Sequence, residues 1–178
     1  MATLREIAMS WDHSILLFTA AHRSDALDGF FRAVTWLGSL YVLAPLVALL
    51  VVILLYVQKR GEALLLVVGV GGVALWVHLA KVLLARPRPA LMEPLIAMPA
   101  DSSFPSAHTA QIVAFVLCVA LIARQTLPAW QLAVALVAAL LAAVVAASRV
   151  YLQVHYPSDV LGGIALGIGW IVLARKIL

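Results

Sequence analysis

Charge is scarce in this chain. Aspartate, glutamate, lysine and arginine together make up 11% of its 178 residues, less than half the share usual in soluble domains. With 65% hydrophobic residues and a mean hydropathy of +1.10, the composition excludes an ordinary soluble globule and predicts a bilayer protein. Cysteine occurs once, as Cys118 within an apolar run, which excludes an intramolecular disulfide framework and a thiolate zinc site. The N-terminus lacks a basic leader followed by a clean apolar core, since Asp12 and His13 interrupt it, so no cleaved signal peptide is expected. Basic residues outnumber acidic ones, for a net charge of +4. They form no continuous stripe with interleaved aromatics, and no nucleic-acid partner is expected.

Long apolar runs dominate what is there. Leu40 to Val57 is nearly unbroken and is closed by Lys59 and Arg60, which suits a span anchored at the headgroups. Further spans are expected from about Ala63 to Leu84, Ser106 to Ala123, Pro128 to Ala147 and Ser158 to Ala174. Residues 90–105, with Pro94, Pro99, Pro105, Glu93, Asp101, Ser102 and Ser103, cannot continue a helix and must leave the lipid or line a polar cavity. The first 38 residues mix apolar Ile15 to Ala21 with Asp12, His13, His22, Arg23, Asp25, Asp28 and Arg32. They predict one or two interfacial helices, with a short sixth span as the alternative. The expected fold class is therefore all-α, a polytopic transmembrane helix bundle of five to six spans forming a single domain over residues 1–178. Gly163 with Gly167, and Ala138, Ala142 and Ala146, stand four apart and read as close helix packing.

Five alternating spans bring the end of the second, the start of the third, the end of the fourth and the start of the fifth to one side of the membrane. Three polar patches meet there. The first holds Lys81, Arg86 and Arg88, with Pro87 and Pro89 ending the helix as the cations arrive. The second, Ser103 to Thr109, sits where a loop becomes a helix; the free N–H groups and the positive dipole end of such a start form an anion site. The third sets His155 between Arg149 and Asp159. A carboxylate on one ring nitrogen leaves the other free as nucleophile or base. Each patch alone has a plain structural reading: snorkelling cations, a partnered helix-end histidine, or a structural His–Asp pair. A transporter or scaffold would spread its charges along a path through the bilayer, whereas these gather at one face.

In their order and spacing the patches resemble the type 2 phosphatidic acid phosphatase (PAP2) family, whose site is related to those of vanadium haloperoxidases and bacterial non-specific acid phosphatases. The family's first motif, Lys, six residues, Arg-Pro, is matched by Lys81, Arg88 and Pro89. Its second, Pro-Ser-Gly-His, is matched by Pro105, Ser106 and His108, with Ala107 in place of glycine. Its third is matched by Ser148, Arg149, His155 and Asp159. The resemblance implies that His155 attacks phosphorus to give a phosphohistidine, that Asp159 holds its ring, and that His108 protonates the leaving oxygen. Lys81, Arg88, Ser106, Arg149 and the backbone N–H of Ala107 would hold the non-bridging oxygens. Arg86 lies outside the signature and is expected to contact headgroups or act as an anchor. The implied enzyme is a metal-independent lipid phosphatase without a cofactor or an obligate protein partner.

The face opposite the site carries Lys59, Arg60, Arg124, Arg175 and Lys176. By the positive-inside rule that face is cytoplasmic, diluted if Arg5, Arg23 and Arg32 lie on the other side. The expectation is an inner-membrane protein whose site faces the periplasm or cell exterior. Among lipid substrates, an isoprenyl pyrophosphate such as undecaprenyl pyrophosphate is the first choice. Phosphatidylglycerophosphate, phosphatidate or lipid A phosphates are alternatives, as is transfer of phosphate between lipids.

Overall fold

The computed structural model describes residues 4–178. Seven helices follow one another among the described residues: α1 (Leu4–Ala21), α2 (Asp25–Val34), α3 (Leu40–Tyr56), α4 (Arg60–Leu84), α5 (Ala107–Thr126), α6 (Gln131–Tyr151) and α7 (Pro157–Ile177). Short 3-10 turns at Thr35–Gly38 and Pro128–Trp130 lead into α3 and α6, and no strand occurs among the described residues. The all-α bundle is as expected.

Local signals explain the helix ends. Ser24 caps α2, accepting from the Leu27 N–H with Asp25 and Asp28 in the first turn, and Ser39 caps α3 through the Tyr41 N–H at 3.0 Å. Helix α4 stops where Ala85 turns left-handed at φ 42°, and Pro87 and Pro89 prevent its resumption. Pro157 opens α7, with Asp159 in its first turn.

Four segments are each long and apolar enough to cross a bilayer: α4, α5, Pro128–Tyr151 and α7. Asp25–Gly38 with α3 makes a fifth, bent by 46°. Helix α1 is not among them. It packs instead on α6 and α7 through buried Leu16, which meets Ala146, Val150 and Val160. Helix α6 runs to Tyr151 rather than ending near Ala147, so Arg149 lies in its last turn. Nothing breaks the helix before Gln153, whose φ of 62° turns the chain.

The core centres on α5, which touches α4, α6 and α7. Leu66, Val70 and Val73 of α4 pack with Ala110, Ala114 and Cys118 of α5, Val145 of α6 and Ile171 of α7. The outer face of α6 leaves Leu132, Leu136 and Leu140 exposed, as lipid contact requires. Glycine sets the spacing of α5 and α7. A Cβ at Gly163 would stand 2.7 Å from the Ser106 carbonyl oxygen, and one at Gly167 2.9 Å from that of Ala110. This approach lets the Ser106 N–H donate to the Asp159 carbonyl at 3.0 Å, joining the second and third polar patches.

Candidate active site

The three patches converge at one end of the bundle. Lys81, buried in the last turn of α4, directs Nζ to the Ser102 carbonyl and to Asp101 Oδ2 at 3.0 Å. Arg88 follows the proline-broken turn. Its Nη1 donates to the Val154 carbonyl at 2.7 Å and lies 3.2 Å from His155 Nε2.

That last contact fixes the state of His155. A guanidinium can only donate, so Nε2 carries the lone pair and Nδ1 the proton. Nδ1 faces Asp159 Oδ2 at 3.4 Å, a long contact, and has no shorter partner. Burial, reinforced by Arg149 and Arg88 and opposed by Asp159, pushes the His155 pKa down to about 4. The ring is therefore neutral at neutral pH, as a nitrogen nucleophile must be.

The Asp159 carboxylate is wholly buried. Oδ2 accepts from the Ser103 hydroxyl and from the Tyr156 N–H at 2.9 Å. Oδ1 accepts from Arg86 Nη1 at 2.5 Å. The expectation of Arg86 as a headgroup contact or anchor is thus corrected. Its other amino group pairs with Asp12 Oδ2 at 2.9 Å, and its guanidinium lies over the Tyr156 ring at 4.4 Å. Two buried carboxylates outcompete headgroups because their charge has no other compensation.

A cavity of about 740 Å³ is lined by His108, Ala107, Gln111 and Arg149, with Trp36, Tyr41, Ile96 and Met98 among its apolar walls. Arg149 is 2% exposed. Nη1 donates to Thr35 Oγ1 at 2.6 Å, Nε has no partner, and among the described residues no carboxylate pairs with it. Ser106 is buried and accepts from Thr109 Oγ1 at 3.0 Å. Ala107 is the first residue of α5 and has ordinary negative φ, so the family glycine's conformational freedom is not needed here.

Sequence reasoning missed four partners: Asp12, Ser103, Thr35 and Asp101. Asp101 was legible only as a loop residue, yet it bridges Lys81 and Arg88, the latter at 2.5 Å. Burial pulls its carboxyl up, but those two cations outweigh this and hold it below the usual range. An acidic residue within an apolar helix was the available signal for Asp12. Among the described residues no group of three His, Cys, Asp or Glu side chains is placed to hold a metal.

A bundle of membrane spans that gathers a neutral histidine, a buried carboxylate and several cations at one end defines a class, the membrane-embedded phosphatase. The chain belongs to the PAP2 superfamily, whose family model matches residues 62–178, and is a membrane lipid phosphatase of that type. It is 30% identical over 162 residues to phosphatidylglycerophosphatase B of Bacillus subtilis strain 168, an alignment covering 89% of this chain and 79% of that protein. The crystal structure of a transmembrane PAP2-type phosphatidylglycerolphosphate phosphatase from Bacillus subtilis superposes with a TM-score of 0.88 at 28% identity, over 95% of this chain and 85% of the other. LpxE of Aquifex aeolicus superposes at 0.75 and 26% identity, over 92% and 93%.

Proposed function

We propose that this chain hydrolyses a phosphate group from a membrane lipid through a phosphohistidine on His155, without a metal ion. The supporting observation is the 3.2 Å contact of His155 Nε2 with Arg88, which aims a nitrogen lone pair at a phosphate-binding cation. On substrate binding, phosphate oxygens take Arg88 over from the ring, and Nε2 meets phosphorus. Nε2 forms the N–P bond as the P–O bond to the lipid breaks, and His108 gives its proton to the departing lipid oxygen. Asp159 holds the ring and balances the imidazolium. Lys81, Arg88, Arg149, the Ser106 hydroxyl and the Ala107 N–H stabilise the equatorial oxygens. Water then attacks phosphorus, His108 takes its proton, the N–P bond breaks and inorganic phosphate leaves.

The cavity suits a lipid whose phosphate reaches Arg149 and His108 while its tail leaves past Trp36, Leu40 and Tyr41. The names of two relatives support phosphatidylglycerophosphate as the first substrate to test. Isoprenyl pyrophosphate, the choice from the sequence, stands second. It is favoured by a site facing the cell exterior, opposite Lys59, Arg60, Arg124, Arg175 and Lys176. Arg23 and Arg32 bond to the Glu93 and Leu95 carbonyls on the site side and weaken that bias. The Arg5 side chain lies outside the described residues.

Phosphate release from both lipids and from phosphatidate, in detergent micelles with EDTA, tests the proposal. The expected result is release by the wild type and a loss of at least about a hundredfold in His155→Ala. Equal release by both proteins, or release abolished by EDTA, overturns it. Loss of phosphate from the donor lipid only when a second lipid is supplied, with the phosphate recovered on that acceptor and none free, identifies a phosphotransferase instead.

A further inference from the structure

Behind the proposed nucleophile lies a row of alternating charge. His155 faces Asp159, Asp159 pairs with Arg86, and Arg86 pairs with Asp12. Both carboxylates are wholly buried, and the Arg86 side chain is 27% exposed. Ser158 knits the row together. Its hydroxyl receives Arg86 Nη1 at 2.8 Å and donates to Asp12 Oδ2 at 2.5 Å, while its N–H donates to Asp12 Oδ1 at 2.8 Å.

The geometry points to Arg86 and Asp12 as a positioning pair that orients the Asp159 carboxylate toward His155, which makes the N-terminal helix α1 part of the catalytic apparatus. The inference rests on the proposed roles of His155 and Asp159. Its physical basis is the division of labour between the two carboxylate oxygens. Oδ2 is the one that faces Nδ1 of His155, and it is held from the backbone by Tyr156. Oδ1 has Arg86 as its hydrogen-bond donor among the described residues. Without Arg86 the carboxylate is held through Oδ2 alone, by the Ser103 hydroxyl and the Tyr156 N–H, and with Oδ1 unanchored the 3.4 Å contact to the ring loses part of its fixed geometry. Asp12 acts one step further out. By pairing the second amino group of Arg86, it keeps the guanidinium in the plane that reaches Asp159.

In this arrangement both amino groups of Arg86 are taken by carboxylates. Arg86 lines a cavity of about 540 Å³ together with Asp12, His13, Phe104, Tyr156 and Ser158, and it also borders a smaller one that it shares with Arg88 and Asp101. The cavity holding His108 and Arg149 lies elsewhere. Helix α1 also precedes the stretch matched by the family model, so Asp12 adds to the site from outside the three motifs.

The experiment uses full-length protein in detergent micelles, phosphatidylglycerophosphate as substrate and vanadate as the phosphate analogue. Arg86→Gln is expected to lower kcat by roughly 10- to 100-fold, with KM and the vanadate inhibition constant within about 3-fold of wild type. Asp12→Asn should lower kcat by about 3- to 10-fold, and the double variant should be no slower than Arg86→Gln, because the two act as one unit. Arg86→Lys, which keeps one charge and one contact, should recover part of the loss. Three results overturn the inference: a wild-type kcat in Arg86→Gln, weakening of vanadate binding in step with kcat, or additive losses in the double variant. If Arg86→Gln does not fold, Asp12→Asn decides, and a wild-type kcat there overturns the inference. His155→Ala runs alongside. Activity surviving in that variant sinks the phosphohistidine reading itself, whereas an inactive His155→Ala beside a fully active Arg86→Gln sinks only the positioning pair.

Discussion

Two arginines at the same end of the bundle should respond to the same substitution with different changes in stability. Arg149 is buried with an unpartnered Nε, a single hydrogen bond to Thr35 and no carboxylate. On the proposed function a bound phosphate compensates its charge. Replacement by methionine, unbranched and apolar, removes an unsatisfied buried donor, which recovers about 1–3 kcal/mol, and removes the desolvation cost of the charge. Against this stands the lost bond to Thr35, worth about 1.5–3 kcal/mol for a charged donor. Replacing buried charge by packed hydrocarbon is on balance neutral or stabilising by about 1–4 kcal/mol. The expected result for Arg149→Met is an unfolding temperature equal to wild type or higher by a few degrees, at about 2–4 °C per kcal/mol for a chain of this size. Activity should fall by at least about a thousandfold. Arg86→Met leaves Asp12 and Asp159 both buried and unpaired, and breaking such a pair costs about 3–5 kcal/mol, so its unfolding temperature should drop by roughly 6–20 °C on the same scale. Unfolding in micelles can be followed through the five native tryptophans. Vanadate supplies the internal control, because it should stabilise the wild type by mass action and leave Arg149→Met unmoved. A fall in the unfolding temperature of Arg149→Met as large as that of Arg86→Met would refute the reasoning. It would mean that Arg149 is a structural cation rather than one held for a ligand.

Other outcomes follow from the same geometry. Since the folded His155 pKa, about 4, lies below its ordinary value of 6.5, the unfolded chain binds a proton that the folded one does not between those values. The stability contribution is present in full above pH 6.5 and is lost as pH falls toward 4. The acid limb of kcat/KM for the folded enzyme should therefore sit near pH 4, as a pH–rate profile would show; a limb near pH 6.5 would contradict the burial of the ring. On the proposed mechanism Asp101, a half-exposed carboxylate on Lys81 and Arg88, yields those cations to phosphate, so Asp101→Asn should tighten vanadate inhibition several-fold at constant pH. Weaker inhibition would show that Asp101 helps to build the site. Gly163→Ala places a Cβ against the Ser106 carbonyl. It should cost about 1–3 kcal/mol and lower kcat by about tenfold by shifting the start of α5, measured by micelle unfolding and phosphate release.

The sequence was most legible where the interactions are local. Apolar runs marked α3 to α7 because span length is set by bilayer thickness, and proline and serine marked the ends of α4 and the start of α5. His155 stands just before α7 and Asp159 in its first turn, four residues on, so their proximity is local in the chain. Two positions were misjudged. The end of α6 was placed near Ala147 because polar Ser148 and Arg149 look like a boundary, although both continue a helix without strain. Arg86 was expected to contact headgroups or act as an anchor because a cation at a span end snorkels by default. Only the docking of α1 supplies the buried Asp12 that overrides this.

By itself, then, the sequence determined that the chain is a helical membrane protein and that its chemistry-bearing residues collect at one end. Composition and motif spacing carry that much, since each depends on neighbours within a few turns. What the tertiary structure decided is how the charges are shared. Arg86 turns to Asp12 and Asp159, Asp101 lies across Lys81 and Arg88, and Arg149 is left with Thr35 alone. These pairings join residues up to 114 positions apart in the chain. In a buried site each cation takes whichever carboxylate the packing of helices brings within reach, and no local pattern records that choice.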